Sequence, residues 1–505
     1  MQANLHSPQE AAQWLREHAV SALRTDHRRV QAGEGYLAYA GHTVDARLFV
    51  DQALLAGAGA CVIEARDSDH ISETTHRVAR YENLKAHSGK IAAAFYGNPA
   101  RQLQVLAVTG TNGKTSTAWW LAQALNSQGK TDQCALIGTL GIGVPERDSS
   151  NLDGLSGSGL TTPNGVLLQH SLRVFVDQGL QFCALEASSI GIEENRLDGT
   201  GIRLAIFTNF TQDHLDYHGT MQAYWSAKRR LFDWPGLRAA VVNIDDDHGA
   251  LLAQDLGEQS PHIDLWTVSM LRSARLQACD ITSSAHGLRF SVREGNQRCA
   301  VQTRIIGSYN VSNLLGVIGA LRASGMDLVS AVQACSALTS VPGRLQCVGG
   351  IDTPLAVVDY AHTPDALQKT LEVLRPLAQA RGGAIWCLFG CGGDRDSAKR
   401  PLMGAIAASL ADQIVLTSDN PRNESPSTII SHILAGMGGR KEVQVQTDRA
   451  MAISQTLAHA APQDVVLIAG KGHESTQEIA GQKFVFSDLT HAEQALAAWQ
   501  PKVYA

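Results

Sequence analysis

No stretch of this 505-residue chain approaches the ~18 consecutive apolar residues that a membrane-crossing helix requires, so no membrane span is expected. The opening residues also lack the basic segment and apolar core of a secretion signal, and a cytoplasmic setting is expected on that ground. Positive charge is not in excess: 42 Lys and Arg stand against 48 Asp and Glu, a formal net charge of -6. A broad basic field of the kind that holds nucleic-acid backbones is therefore excluded, and no nucleic-acid partner is expected. The nine cysteines are odd in number and contain no C-x-x-C pair, which excludes a disulfide framework in favour of reduced thiols. Cys387 and Cys391 lie close together, but the apolar run around Cys387 favours packing over metal ligation. There is no internal repeat and no low-complexity tract. What remains is an ordinary globular composition, 44% hydrophobic and 18% charged, at a length that suggests about three domains.

The most informative segment is a short glycine loop of Gly110, Thr111, Asn112, Gly113, Lys114, Thr115 and Ser116. It follows the apolar run 105–108 and precedes a helix-like stretch at 117–128. A strand, a glycine turn and a helix N-terminus in that order surround a polyphosphate with backbone N–H groups. The lysine adds a cation, and the threonine hydroxyl suits Mg²⁺. The pattern points to ATP or a related nucleotide. Only two residues separate the glycines, so the loop is shorter than the common G-x-x-x-x-G-K-[ST] form.

Apolar runs and breaks divide the chain. A small α/β region, with strand-like residues at 36–39 and 60–63 and a helical run at 46–56, ends where Gly97, Asn98 and Pro99 break the pattern. Short apolar runs then recur at 105–108, 134–137, 182–185, 204–207 and 239–242, separated by helical or loop segments, which predicts a mostly parallel sheet with ligands at the C-terminal strand ends. After Pro342, Gly343 and Arg344 a third alternation begins, with strands at 355–358, 384–388, 414–416 and 465–468. Thr363 before Pro364 marks a capped helix start there. The serine- and glycine-rich stretch 149–159 reads as a mobile loop. The expected fold class is α/β in three domains: a small N-terminal α/β domain (1–99), a central P-loop ATPase-like, mostly parallel sheet (100–344) and a C-terminal Rossmann-like α/β domain (345–505).

Glu186 and His214 each follow one of the central apolar runs. A carboxylate and an imidazole at neighbouring strand ends beside a phosphate loop are suitable ligands for a second Mg²⁺, although each taken singly reads as structural. His214 and His218 have the i, i+4 spacing of a zinc pair, but residues 216–219 read as a turn. Lys228, beside Arg229 and Arg230, reads as a solvated helix charge.

Taken together, the phosphate loop, the segments at 186–189, 209–218 and 224–228, Gly307 to Asn313, Pro342 to Arg344 and Asp359 to Asp365 resemble the Mur ligases of peptidoglycan synthesis. These enzymes use ATP to join an amino acid to a UDP-linked muramoyl peptide. The resemblance runs from about residue 26 to about residue 488. It implies Lys114, Glu186, His214 and Lys228 as the catalytic set, with Thr115, Glu186, His214 and Lys228 around two Mg²⁺ ions. Lys228 matches a lysine that CO₂ carbamylates, which turns a cation into an anionic oxygen ligand. The resemblance adds Asn310, Arg344, Asp359 and His362 to the loop residues as ATP contacts, the last two supplied by a third domain that closes over the nucleotide.

The resemblance also implies the substrates. Asp419, Asn420, Pro421 and Arg422 match the signature of the member that adds meso-diaminopimelate. Arg395 and Arg422 suit its carboxylates, while Asp419 and Glu474, near Gly470, suit its ammonium groups. Diaminopimelate exceeds lysine by one carboxylate, so an added arginine is a sensible discriminator. The UDP-muramoyl dipeptide would meet His27, His42, Thr43 and Val44 and, in the central region, Thr161, Thr162, Ser188, Glu194 and Arg196. The chain departs from the family at His27, Leu160 and Glu194, where serine, asparagine and glutamine are more usual, and at Gly35 and Tyr36. Expected chemistry is transfer of the γ-phosphoryl to the D-glutamate carboxylate, then attack of an amine on the acyl phosphate by a monomeric enzyme. Competing expectations are a lysine-adding ligase, a ligase that adds glutamate to folate, and a nucleotide-driven switch without ligase chemistry.

Overall fold

The structure, a computed structural model, describes residues 3–41, 44–66, 76–127, 133–145, 152, 154–284, 287–439 and 442–501. The chain divides into two compact units, one of residues 1–278, 292–299 and 312–335 and the other of residues 279–291, 300–311 and 336–505. The expected α/β class holds, with three main sheets among the described residues and a separate two-stranded hairpin.

The first unit opens with a small parallel sheet in the spatial order Ala3–Leu5, Val78–Tyr81, Ala60–Glu64, Gly35–Ala38, Leu23–Arg24. Helices Pro8–Glu17 and Leu84–Phe95 pack with it around Leu5, Leu37, Val62 and Ile91. The large sheet follows. Its parallel centre runs Cys134–Gly138, Phe182–Glu186, Gln104–Thr109, Ile202–Phe207, Ala239–Asn243, Asp264–Ser269. These strands are apolar along nearly their whole length because both faces are covered, which is why they read as continuous hydrophobic runs rather than alternating ones. Antiparallel strands Gly141–Gly143 and Leu155–Ser156 extend one edge, making the sheet mixed. Residues 155–156 thus form a strand inside the stretch expected to be a loop; residues 149–151 and 153 lie outside the described residues.

The second unit carries a six-stranded sheet in the order Gln346–Gly349, Leu355–Asp359, Val465–Ala469, Ile385–Phe389, Gln413–Leu416, Val443–Val445, parallel except for its first pair. Helix Pro364–Arg381 starts as expected: the Thr363 side chain accepts from Ala366 N and Pro364 takes the first turn, where no N–H is missed. The hairpin Thr476–Ile479 and Gln482–Val485 follows the last central strand of this sheet. No helix among the described residues is long and apolar enough to cross a membrane.

Candidate active site

Strand Gln104–Thr109 delivers the glycine loop directly onto helix Lys114–Ser127, whose first residue is three positions earlier than the sequence pattern suggested. Gly110 and Gly113 have φ of 144° and 84°, conformations that side chains rarely adopt. A Cβ at Gly110 would run into Thr208 Oγ1, and one at Gly113 into Asn313 Oδ1. The loop is braced from the neighbouring strand end. Thr111 N donates to Asn209 O at 2.8 Å, Asn112 N to Asn209 Oδ1 at 2.9 Å, and Thr208 Oγ1 to Asn112 O at 2.6 Å. Lys114 Nζ lies 2.8 Å from both Gly110 O and Thr111 O, curled over the loop.

Glu186, 1% exposed at the end of its strand, is the hub beside this loop. Its Oε2 accepts from Thr115 Oγ1 at 2.8 Å and from Thr139 Oγ1 at 3.3 Å, and its Oε1 accepts from Thr139 N at 2.7 Å. Thr139 Oγ1 also meets Thr161 Oγ1 at 3.0 Å. Thr162 Oγ1 donates to Glu186 O at 2.7 Å and sits 2.9 Å from Ser188 Oγ, which caps the helix Ser189–Glu193. Arg196 Nη1 reaches Thr162 O at 3.0 Å. Six of the expected residues, Thr115, Glu186, Thr161, Thr162, Ser188 and Arg196, therefore form one connected network with the unforeseen Thr139.

Lys228 is not the solvated helix charge that its neighbours Arg229 and Arg230 suggest. Helix Met221–Arg229 buries it to 1% exposure, and its Nζ donates to Gly110 O at 2.8 Å. The amine nitrogen lies 4.4 Å from the centre of the Tyr224 ring. Burial, with Lys114 nearby adding repulsion, pushes the Lys228 amine well below the usual lysine range. Tyr224, 3.2 Å from Thr111 Oγ1, ties the same helix to the loop. His214 has φ of 50°, and burial, reinforced by Lys114 and Lys228, holds its imidazole below the ordinary value. Residues Leu215–His218 form a short helix ended by Gly219 rather than the turn expected, and His218 Nε2 meets Ser189 Oγ at 3.0 Å. Among the described residues no three His, Cys, Asp or Glu side chains gather as a metal cage.

Of the positions expected at the dipeptide, Glu194 accepts from Tyr217 Oη at 2.6 Å and pairs with Lys85 Nζ at 2.7 Å. His27 stacks on Phe49, ring centres 4.1 Å apart and planes nearly parallel, beside an Asp26–Arg28 pair. Val44 is exposed; His42 and Thr43 lie outside the described residues.

In the second unit, Asp359 ends a buried strand and accepts from Leu345 N at 2.8 Å and Ala361 N at 2.9 Å; burial raises its carboxyl. Arg344 lies over the Tyr360 ring at 4.6 Å, and His362 Nδ1 is 2.7 Å from Tyr360 O. Asn310 Nδ2 donates to Ile306 O at 2.8 Å. Asp419, Asn420, Pro421 and Arg422 leave the end of strand Gln413–Leu416, and Gly470 leaves the adjoining region after Val465–Ala469. A Cβ on Gly470, at φ of 119°, would strike Asp419 Oδ2. Arg422, at φ of 49°, donates from Nη1 to Gly393 O at 2.7 Å and lies 3.4 Å from Glu478. Arg395 is exposed on the same glycine turn: a Cβ on Gly392 would sit 3.1 Å from Arg422 Nη1 and 3.7 Å from Arg395 Cγ. The structure thus gathers both arginines, Asp419, Asn420, Gly470 and Glu474 around the ends of neighbouring strands. Sequence reasoning missed Lys471, which bonds to both Asn420 and Glu474, and the buried Arg449–Asp488 pair behind Asp419. Lys471 lies between Gly470 and Glu474, both singled out in the sequence; nothing local marks Arg449 or Asp488.

The phosphate loop is thus bonded on one side to the buried glutamate, through Thr115, and on the other to the buried lysine, through Gly110 O. Residues 108–321 match the model of the Mur ligase middle domain and residues 343–472 that of the Mur ligase, glutamate ligase domain. The chain is 52% identical to the UDP-N-acetylmuramoyl-L-alanyl-D-glutamate--2,6-diaminopimelate ligase of Acidovorax sp. (strain JS42), covering 97% of each. It is 47% identical to the protein of the same name from Janthinobacterium sp. (strain Marseille), covering 96% of each. A solved structure of a ligase of that name aligns with a TM-score of 0.67 and 34% identity, covering 95% of each chain. The chain belongs to the Mur ligase family.

Proposed function

We propose that this chain is the ligase that joins meso-2,6-diaminopimelate to the D-glutamate carboxylate of UDP-N-acetylmuramoyl-L-alanyl-D-glutamate, forming ADP and phosphate, in the cytoplasm during peptidoglycan synthesis. The observation that carries this reading is 52% identity over nearly the whole chain to a ligase of that name. The Asp419, Asn420 and Arg422 segment beside Glu474 supports the choice of amino acid.

A carboxylate cannot expel oxide, so the D-glutamate oxygen first takes the γ-phosphoryl of ATP, giving an acyl phosphate and ADP. The diaminopimelate amine then attacks the acyl carbon, the amide bond forms, the carbon–oxygen bond to phosphate breaks, and the amine's extra proton is released. Lys114 and the N–H groups of residues 110–116 bind the phosphates and offset the charge gathered there. The other expected ATP contacts, Asn310, Arg344, Asp359 and His362, belong to the same reading. Thr162, Ser188, Glu194 and Arg196 orient the dipeptide.

The residues fit magnesium, which uses one or two carboxylates together with substrate phosphates rather than an all-protein cage. Thr115 and Glu186 would hold one ion; His214 and Lys228 would hold the other once CO₂ has added to the Lys228 amine with loss of a proton. Bound there, the ions supply charge neutralisation and Lewis acidity. Burial of Lys228 beside Lys114 favours its neutral amine, the form that reacts with CO₂. The test is release of phosphate and ADP by the purified chain with ATP, dipeptide and diaminopimelate. A new amide product that needs all three supports the reading. Release of AMP, a preference for L-lysine, or hydrolysis without an amide product overturns it.

A further inference from the structure

Lys471 is fully buried at 0% side-chain exposure, although an unpaired ammonium in that position would be costly. Its Nζ donates to Asn420 Oδ1 at 3.0 Å and to Glu474 Oε2 at 2.8 Å. Asn420 Oδ1 also accepts from Glu478 N at 2.9 Å. Both lone pairs of that oxygen are therefore occupied by donors. The opposite orientation of the amide would set its NH₂ group against an ammonium and a backbone N–H, so only one orientation is compatible with the surroundings. In that orientation Nδ2 donates one hydrogen to Glu474 Oε2 at 2.8 Å. Its second hydrogen has no acceptor among the described residues.

The same three bonds define what Glu474 has left. Oε2 already accepts from Lys471 and Asn420, and Oε1 has no hydrogen-bond partner among the described residues. Burial alone would raise this carboxyl, but the bond to Lys471 prevails and holds it below the usual range. Lys471 thus leaves one amide N–H on Asn420 and one carboxylate oxygen on Glu474 available, an anion donor and a cation acceptor held in fixed relation. Arg422, tied to Glu478 at 3.4 Å, is linked to the same frame through the Glu478 backbone.

We infer that Lys471 is a positioning residue for amino-acid selection: it orients the Asn420 amide so that its second N–H, with Arg422, reads the carboxylate that distinguishes diaminopimelate from lysine. This rests on the proposed function of the site and adds the residue that sets its polarity. The group touches no reacting atom in this scheme; it acts through Asn420 and Glu474.

The test is steady-state kinetics of the full chain and of Lys471→Met and Lys471→Gln, each with diaminopimelate and with L-lysine, and with ATP varied. Lys471→Met should raise the KM for diaminopimelate at least tenfold and leave the KM for ATP within threefold. It should also lower the ratio of kcat/KM for diaminopimelate over lysine at least tenfold. Lys471→Gln keeps an N–H donor for Asn420 Oδ1 but not the charge. It should raise the KM for diaminopimelate three- to tenfold while keeping that ratio within threefold. An unchanged ratio in Lys471→Met, an equal loss for both amino acids, or a Lys471→Gln enzyme with unaltered KM or a collapsed ratio would overturn the proposal. If Lys471→Met does not fold, the Lys471→Gln outcomes decide alone. Failure of the underlying function would show differently, as an unaltered chain that never prefers diaminopimelate.

Discussion

Replacing Asp488 by Asn should loosen the amino-acid end of the second unit without touching any residue proposed to bind substrate. Arg449 and Asp488 are both wholly buried, joined by two bonds of 2.7 Å, Nε to Oδ1 and Nη2 to Oδ2. The guanidinium also donates to Ala469 O at 2.9 Å and to Ser418 O at 3.3 Å. It therefore fastens the chain just after strand Gln413–Leu416 to the end of strand Val465–Ala469, where Asp419 and Gly470 begin. Asp488→Asn keeps the shape, removes the counter-charge and turns one acceptor into a donor facing Arg449. Leaving a buried charge without its partner costs about 3–5 kcal/mol. At ~1.4 kcal/mol per factor of ten, local opening should become roughly two to three and a half orders of magnitude more frequent, unless whole-unit unfolding intervenes first. Because the chain has more than one unit, a single melting temperature would not isolate this effect. Hydrogen exchange followed by mass spectrometry on peptides covering 465–469 does isolate it. The double replacement Arg449→Met with Asp488→Leu removes both charges and should recover most of the lost protection. Exchange in Asp488→Asn within threefold of the unaltered protein, or a double variant worse than either single one, would refute the reasoning.

Gly110→Ala places a methyl group onto Thr208 Oγ1 at a φ of 144°. It should weaken ATP binding by roughly a hundredfold, about 3 kcal/mol, measured by titration with a fluorescent nucleotide; a Kd within threefold would contradict the loop geometry. Lys228→Ala should remove at least ~99% of turnover, with circular dichroism unchanged. The unaltered enzyme should slow in CO₂-depleted buffer and recover on adding bicarbonate, and full activity of the variant in that buffer would exclude a carbamate role. His473, which packs against Tyr360 at 5.3 Å, is held down to about 4 by burial, with Arg344 adding repulsion. Its unfolded form binds a proton at ~6.5, so between those values the unfolded chain is the better proton acceptor. The second unit should therefore lose up to roughly 3 kcal/mol as pH falls from ~6.5 to ~4 and nothing further from this group below that. Denaturant unfolding with His473→Gln should flatten that acid slope, and an identical slope in the variant would show that the histidine does not cause it.

The parts of the fold legible in the sequence were those with a local cause. Strands covered on both faces show as apolar runs, and Ile385–Phe389 and Val465–Ala469 were found within a residue. The cap at Thr363 and the glycine loop are equally local, since their chemistry is complete within a few residues. The local reading of Lys228 as a solvated charge fails for the opposite reason. Two arginines beside it predict an exposed face, and only the return of helix Met221–Arg229 against Gly110, 118 positions earlier in the chain, buries its amine. Thr139, Arg449 and Asp488 carry no motif; their roles come from partners 47 and 39 positions away. The strand at 155–156 was hidden because serine and glycine are poor strand formers, and pairing with 142–143 overrides that preference.

One arrangement serves both units, and it explains why the expected site residues cluster at strand ends. A parallel strand buried along its length delivers its next residue to the sheet's C-terminal edge, where backbone groups lose their ladder partners and must find others. In the first unit these partners are the Glu186 carboxylate for Thr139 N, Thr162 Oγ1 for Glu186 O and Asn209 Oδ1 for Asn112 N. In the second they are Arg449 for the carbonyls of Ser418 and Ala469, and Gln477 Nε2 for Asp419 O at 2.7 Å. The difference lies in charge. Around the phosphate loop most partners of the backbone and of Glu186 are neutral hydroxyls and amides, with Lys114 and Lys228 both donating to Gly110 O. Around Asp419 the framework is itself ionic, two buried cations matched to Asp488 and Glu474, as a site for a small molecule bearing both signs of charge would require. Losing a framework charge together with its hydrogen bonds, as in Lys471→Met, should therefore alter which ionic form of an amino acid is accepted, whereas a hydroxyl lost near Glu186 should weaken binding without changing the sign of what binds.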